Sequence, residues 1–352
     1  MSMNVENTDS AGKSSLLGRI LRFGVPFAIT VLLVWYMFTK IDFAELWHTI
    51  RHGVDYKWIL LAMAVSVLSH IFRALRWRLQ LRTLGVEPPL MALCCSIFGT
   101  YALNLVFPRL GEVWRCTYIS QRERAPFTKV LGSMVADRLS DTLTVLLLLL
   151  LTLGLAHDQI MSFLNKYPIG ESLAAMAGSV GFWLWLIGAL SVCGGLVWLL
   201  RDTRPVKALR RMTGEVWGGF ASIARMRGRG LFVLYTSAIW GCYFLQLYLA
   251  FFAFSCTMDL VLEPGSAFGL LPCLVAFVLS SIGMAVPSNG GLGPWNVCII
   301  FGLDLYGVAY APAASFSIVV WSAQTLMLII LGVYTAIYTS RTSTVKTLET
   351  NV

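Results

Sequence analysis

Nine apolar runs constrain this chain more than any other feature, near residues 23–38, 57–72, 90–107, 130–156, 178–200, 231–254, 267–286, 295–311 and 313–338. Several reach the roughly 20 residues that carry a helix across a bilayer. Backbone groups inside hydrocarbon have no water to bond, so a spanning segment is either a helix or part of a closed barrel. A barrel would show short alternating segments, whereas these runs are long and continuous. The expected fold is all-α, a polytopic membrane helix bundle. Composition agrees, with 57% hydrophobic and 13% charged residues, where soluble domains carry about one quarter charged.

The formal charge of +9 belongs to this context. Lys and Arg collect in the cytoplasmic loops of membrane proteins, so the excess does not point to nucleic acid. Residues 73–82 hold Arg73, Arg76, Arg78 and Arg82 without an acid. Residues 201–230 hold eight Lys or Arg and two acids. Both segments read as cytoplasmic, and 157–175 and 255–266 read as external. The domain reading is a polar cytoplasmic N-terminus at 1–18, one transmembrane domain at 19–340 and a cytoplasmic tail at 341–352. A bacterial inner membrane is the expected location.

One segment conflicts with simple alternation. The stretch "LVFPRLGEVWR" (105–115) begins a second basic segment, yet a single apolar run, 90–107, separates it from the basic residues 73–82. A helix crossing once would put the two on opposite sides. The simplest resolution is that 90–107 enters from the cytoplasm, breaks at Pro108 and returns. Irregular backbone at membrane depth needs surrounding protein or a wet cavity.

The second half offers a counterpart, "AVPSNGGLGPWN" (285–296). Each break follows a run rich in small residues and precedes a long apolar helix. If 267–286 and 295–311 form a hairpin from the outside, units 90–156 and 267–338 are an inverted repeat with re-entrant or broken helices. Such repeats place substrate sites near the midplane. The alternative, that both runs span, leaves the C-terminus on the same side.

Charges gather at the first break and just beyond it. Asp137, Arg138 and Asp141 open the run at 130–156, with the two acids four apart on one helix face. Arg109, Glu112 and Arg115 recur every three residues and would form a neighbouring stripe on a helix. Charges at this depth usually face a bundle interior and pair there, although terminal arginines also snorkel to the interface. Guanidinium groups match phosphate oxygens through paired hydrogen bonds. A basic recess open toward lipid tails suits an amphipathic, phosphate-bearing substrate. The carboxylates would hold the arginines until substrate arrives, or carry a coupling proton.

Other signals are weaker. "AGKS" (11–14) lacks the first glycine and preceding strand of a phosphate loop. His48 and His52 read as polar surface rather than a metal site. The eight cysteines mostly lie in apolar runs without paired spacing, so neither a disulfide framework nor a zinc site is expected. No cofactor and no metal are expected.

At its polar motifs the chain resembles the lysylphosphatidylglycerol synthetase membrane-region family, also called the flippase-like domain family. "PRLGEVWR" (108–115) is similar to the family's P-x-x-G-E-x-x-R pattern, "DRLSD" (137–141) to its acid-Arg-x-x-Asp pattern, and "PSNGGLG" (287–293) to its second glycine-rich turn. The resemblance covers roughly residues 15 to 340. It implies a lipid-translocating membrane domain, whose best-understood relatives move aminoacylated phosphatidylglycerol between leaflets, others being linked to polyprenyl-phosphate lipids. Carried over by position, it implies a substrate site of Arg109, Glu112, Arg115, Asp137, Arg138 and Asp141. The second turn would add Asn289, Gly290, Gly291, Gly293 and Asn296. Relatives often carry Glu where this chain has Asn296, and an Arg near Trp321 and Gln324. The chain lacks the soluble aminoacyltransferase domain of bifunctional relatives, so lysyl-lipid synthesis is not expected.

The expected function is a flippase or transporter for a phosphate-containing lipid. Its partners would be a membrane phospholipid or a polyprenyl-phosphate lipid, with a coupling proton or ion and a homo-oligomer left open. The alternative is a membrane-embedded transferase acting on a polyprenyl-phosphate lipid. An ion channel or scaffold fits the asymmetric charge cluster less well.

Overall fold

A computed structural model describes residues 43–159, 178–199 and 228–349 apart from 264, 266 and 287, together with positions 35, 39 and 161. The polar N-terminus, Pro287 and most of the apolar run at 23–38 and of the segments 157–175 and 201–230 lie outside the described residues.

The described chain is helical. In order, the helices are α1 (Phe43–His52), α2 (Tyr56–Arg82), α3 (Leu90–Val106), α4 (Leu110–Arg122), α5 (Phe127–Leu155), α6 (Val180–Leu199), α7 (Arg229–Phe251), α8 (Ser255–Leu262), α9 (Leu270–Gly283), α10 (Pro294–Asp304) and α11 (Tyr310–Glu349). Among the described residues, four are long and apolar enough to cross a membrane: α2, α5, α7 and the Tyr310–Arg341 part of α11. The molecule is an integral membrane protein of the all-α class. α3 and α9 are apolar but shorter, with 17 and 14 residues. At about 1.5 Å per residue they reach about 25 and 21 Å, against a hydrocarbon core of about 30 Å.

The chain divides into two compact units. The first contains residues 1–131 and 230–352, and the second residues 132–229. Within the first, α3 packs against α2, α4 and α11, and α10 packs against α9 and α11. Its core holds Trp77, Leu93, Ile97, Ile119, Ile239, Phe251 and Phe316, all without significant exposure. Its outer surface exposes Leu60, Val233 and Leu326, as suits a lipid-facing wall. The second unit holds most of α5, then α6. It also exposes apolar side chains, Leu150 at 67% and Trp185 at 69%.

Two helix ends differ from the sequence reading. Residues 73–82 do not form a loop; they complete the 27-residue α2. No proline or glycine interrupts this stretch, and Leu, Arg, Ala and Gln are all strong helix formers. At the other end, α11 continues past residue 338 to Glu349, again without a breaker. In the apolar run at 295–311 the helix is the 11-residue α10, which ends before Gly307 at φ +81°, and α11 starts at Tyr310.

Candidate functional site

The polar side of α2 is the most buried hydrophilic surface of the first unit. Ser66, Ser69, His70, Arg73, Arg76 and Gln80 are each at most 4% exposed. With Trp77 they recur at intervals of three and four. At 3.6 residues per turn they occupy about 120° of the helix circumference. Arg73 donates from Nε and Nη2 to the Tyr243 hydroxyl of α7, at 3.3 and 3.2 Å. Arg76 donates to Thr236 Oγ1 at 3.3 Å and lies 5.6 Å from the Phe232 ring centre. Gln324 of α11 donates from Nε2 to Ser66 Oγ at 3.1 Å. Three helices therefore meet on this stripe.

Arg115 of α4 reaches the same helix. It is fully buried, and its guanidinium stands 4.6 Å from the Trp77 ring centre. A desolvated guanidinium over an indole is among the stronger cation–π arrangements. The expected stripe of Arg109, Glu112 and Arg115 does not form. α4 starts only at Leu110, and Arg109 precedes it in the left-handed region at φ 63°. Arg109 is exposed and donates to the Ala285 carbonyl at 3.5 Å, while Glu112 is half-buried on the helix. The turn at the break rotates Arg109 off the face that buries Arg115.

The first break is built locally. Phe107 is extended, as residues before proline prefer, and closes α3 through Leu103 O. Arg109 offers no capping side chain to α4. Asn104 supplies it instead: its Oδ1 accepts from Gly111 N at 2.9 Å, satisfying one of the orphan donors of a helix start. Gly111 sits against α3 so closely that a Cβ would overlap the Thr100 carbonyl. Thr100 Oγ1 donates to the Gly111 carbonyl at 3.2 Å. The glycine of "PRLGE" is thus a close-packing residue as well as a breaker.

The second break lies against the first. Gly290 N donates to Asn104 O at 3.1 Å, and Asn289 Nδ2 donates to Val106 O at 3.0 Å. Trp321 Nε1 donates to Gly290 O at 3.0 Å. Gly290 has φ +59°, and a Cβ there would collide with the Leu105 side chain. Gly291 and Gly293 also have positive φ. Asn296 is fully buried: Oδ1 accepts from Gly293 N at 3.1 Å and Nδ2 donates to Ser317 O at 3.2 Å. It clamps the turn to α11. Trp321 is half-buried and also bonds the turn.

In the second unit, Arg138 Nη1 lies 3.8 Å from Asp141 Oδ2. Asp137 is fully buried and Asp141 9% exposed. The pairing expected of Arg138 is present; the pair is partly open, with 32% of the arginine side chain exposed. Among the described residues, no three His, Cys, Asp or Glu side chains converge as for a metal.

The motifs lie within the range matched by one family. The profile of the lysylphosphatidylglycerol synthase TM region matches residues 24–332. The chain belongs to this family. A second likeness is local: 30% identity over 118 residues with a protein called glycosyltransferase AglD from Haloferax volcanii, spanning 33% of this chain and 19% of that protein. The chain thus covers about a fifth of the length of that relative. The synthase-family membrane domain seen here brings Asn289, Gly290 and the neighbourhood of Arg109 together, and buries Arg115 beside α2. Ser66, His70, Arg73, Arg76 and Gln80 were missed from sequence. Their three- and four-residue spacing was the available signal, obscured because four arginines at the end of an apolar run read as a cytoplasmic loop.

Proposed function

We propose that the protein moves a phosphate-containing lipid between membrane leaflets. The observation that carries this reading is the complete burial of Arg73, Arg76 and Arg115 in a unit whose outer surface is apolar. Intramembrane arginines are costly and commonly mark substrate paths. Their planar donor forks suit phosphate oxygens. Beside them an apolar groove is lined by Gly99, Ala102, Trp114, Gly332 and Ala336. Trp114 precedes Arg115 in the chain, so a headgroup near one and an acyl or prenyl chain along the other fits an amphipathic substrate. Family membership supports a lipid role.

In this reading α3–α4 and α9–α10 are two re-entrant hairpins of an inverted repeat, and their breaks end inside the membrane. In the first unit Arg109, Glu112, Arg115 and the turn Asn289, Gly290, Gly291, Gly293 and Asn296 bind the substrate; in the second, Asp137, Arg138 and Asp141 are substrate-binding residues as well. The protein sits in a bacterial inner membrane with both termini cytoplasmic, and acts as a carrier rather than an enzyme. Proteoliposomes carrying fluorescent phosphatidylglycerol test it, with dithionite quenching reporting leaflet exchange. Arg73→Gln and Arg115→Gln should each slow exchange roughly 10- to 150-fold, the worth of a charge-assisted hydrogen bond of about 1.5–3 kcal/mol. Exchange no faster than in protein-free vesicles, with phosphatidylglycerol and polyprenyl phosphate alike, would refute it.

The likeness to a glycosyltransferase favours a second reading, a transferase acting on a polyprenyl-phosphate lipid. Appearance of a new glycosylated lipid on incubating purified protein with that lipid and a sugar donor would select it.

A further inference from the structure

His48 and His52 are two of the 4 histidines of the chain. Both are exposed on α1, four residues apart, and side chains at that spacing share one helix face. Their ring centres stand 5.4 Å apart, with the planes tilted by 52°. Two imidazoles bound through nitrogen to one metal ion, at about 2.0–2.1 Å each, have ring centres about 4.5 to 5.2 Å apart for bond angles between square and tetrahedral. A small turn about a side-chain torsion closes the remainder. The other two histidines form no such pair: His70 is buried in α2, and His157 has Asp158 beside its ring nitrogen.

The backbone beneath the pair is anchored. Gly53 N donates to the Thr49 carbonyl at 2.8 Å, and Tyr56 Oη donates to Ile50 O at 2.6 Å. Just beyond, Asp55 N donates to Ala253 O at 2.9 Å, and α1 packs on α11. Two ligands on an anchored turn bind with less ordering cost than two on a free chain. Arg51, between the histidines in sequence, is drawn away from them: its guanidinium lies over the Trp47 ring at 4.7 Å. The Trp47–Arg51 row is about 100° around the helix from the histidine row. From spacing alone the pair reads as polar surface; the ring separation and the anchoring are what the structure adds.

We propose that His48 and His52 chelate a late first-row divalent metal ion, each donating one ring-nitrogen lone pair in place of a bound water. Imidazole suits Cu²⁺, Ni²⁺ and Zn²⁺, whereas Mg²⁺ and Ca²⁺ prefer oxygen ligands. Paired histidines four apart on a helix are the device that holds zinc in helical metalloprotease sites. Among the described residues no third His, Cys, Asp or Glu joins this pair, so water completes the coordination and the ion exchanges with the medium. A bound ion ties the last turn of α1 together and stabilises the folded protein by linkage. The site is separate from the arginine stripe of α2 and does not depend on the lipid-moving reading.

Isothermal titration tests it on the full-length protein, purified in detergent without a polyhistidine tag and held at about pH 7.5, where an ordinary imidazole is mostly neutral. Ni²⁺ should bind at about one ion per chain, Cu²⁺ more tightly, and Mg²⁺ not at all. His48→Gln and His52→Gln should each weaken Ni²⁺ binding roughly 100-fold or more, the gain that a second tethered ligand brings. Both positions are exposed, so these variants should fold, and His157→Gln should bind as the parent does. Electron paramagnetic resonance of the Cu²⁺ complex should show two coupled imidazoles in the parent and one in either variant. Added Ni²⁺ should raise the melting temperature of the parent and leave that of the variants unchanged. Equal Ni²⁺ affinity in the parent and the single variants would mean chance surface ligands only and would overturn the proposal. A Cu²⁺ spectrum with one imidazole in the parent, or loss of Ni²⁺ binding in His157→Gln, would overturn it as well.

Discussion

Gly111 and Gly290 show how much a single missing methyl group does here. A Cβ on Gly111 would overlap the Thr100 carbonyl, and backbone cannot rotate away as a side chain can. Gly111→Ala should therefore destabilise the protein by about 1–3 kcal/mol, the usual cost of overpacking. Gly132, inside α5 with nothing near its Cβ position, provides the control: Gly132→Ala should leave stability unchanged or raise it by up to about 1 kcal/mol, the helix preference of Ala over Gly. Thermal melts followed by size-exclusion fluorescence would separate the two. Asn296 offers a second test at this scale. Both ends of its buried amide are bonded, so Asn296→Leu strands the Gly293 amide and should cost about 1–3 kcal/mol. Asn296→Asp keeps the acceptor for Gly293 but loses the donor to Ser317. A melt for Asn296→Leu that matched the parent would show that the clamp does not hold the turn.

The helices were readable where apolar residues alone decide. The runs at 90–107, 130–156 and 231–254 correspond to α3, α5 and α7 within a few residues, because hydrophobic length and helical backbone bonding point the same way. Polar residues inside a helix defeated the same reasoning. Arg73 and Arg76 follow an apolar run, and a rule about loop charge assigned them to water; their burial depends on Tyr243, Thr236 and Phe232, more than 150 positions away. The contact between the two breaks was also beyond composition. Their shared Pro, Gly and Trp suggested kinship, but only three-dimensional packing brings Gly290 to Asn104. At this scale the proposed re-entrant arrangement of α3 and α4 makes a clear prediction. Single cysteines at the exposed positions Glu87 and Gln121 should react with a membrane-impermeant maleimide from the same side. Labelling from opposite faces would mean that α3 crosses.

Across the whole molecule, apolar walls and a buried basic interior predict what should accompany the protein out of the membrane. Native mass spectrometry of protein extracted in mild detergent should find a phosphate-bearing lipid enriched over its membrane abundance. The Arg73→Gln, Arg115→Gln double variant should lose most of that enrichment, whereas Arg51→Gln, altering an exposed arginine of α1, should keep it. Because buried charges are screened less than surface ones, raising salt to about 0.5 M should leave the bound lipid in place. Enrichment of a neutral lipid instead, equal in both variants, would argue for packing rather than headgroup capture.

The hydrogen bonds from Gly290 to Asn104 and from Asn289 to Val106 rivet two half-length hairpins at their tips. In the proposed re-entrant arrangement, prying such a rivet apart would bare amides inside hydrocarbon that have nothing else to bond. Any gate in this unit should therefore swing around the tips as a fixed fulcrum, with the widest excursions at the far ends of the hairpins.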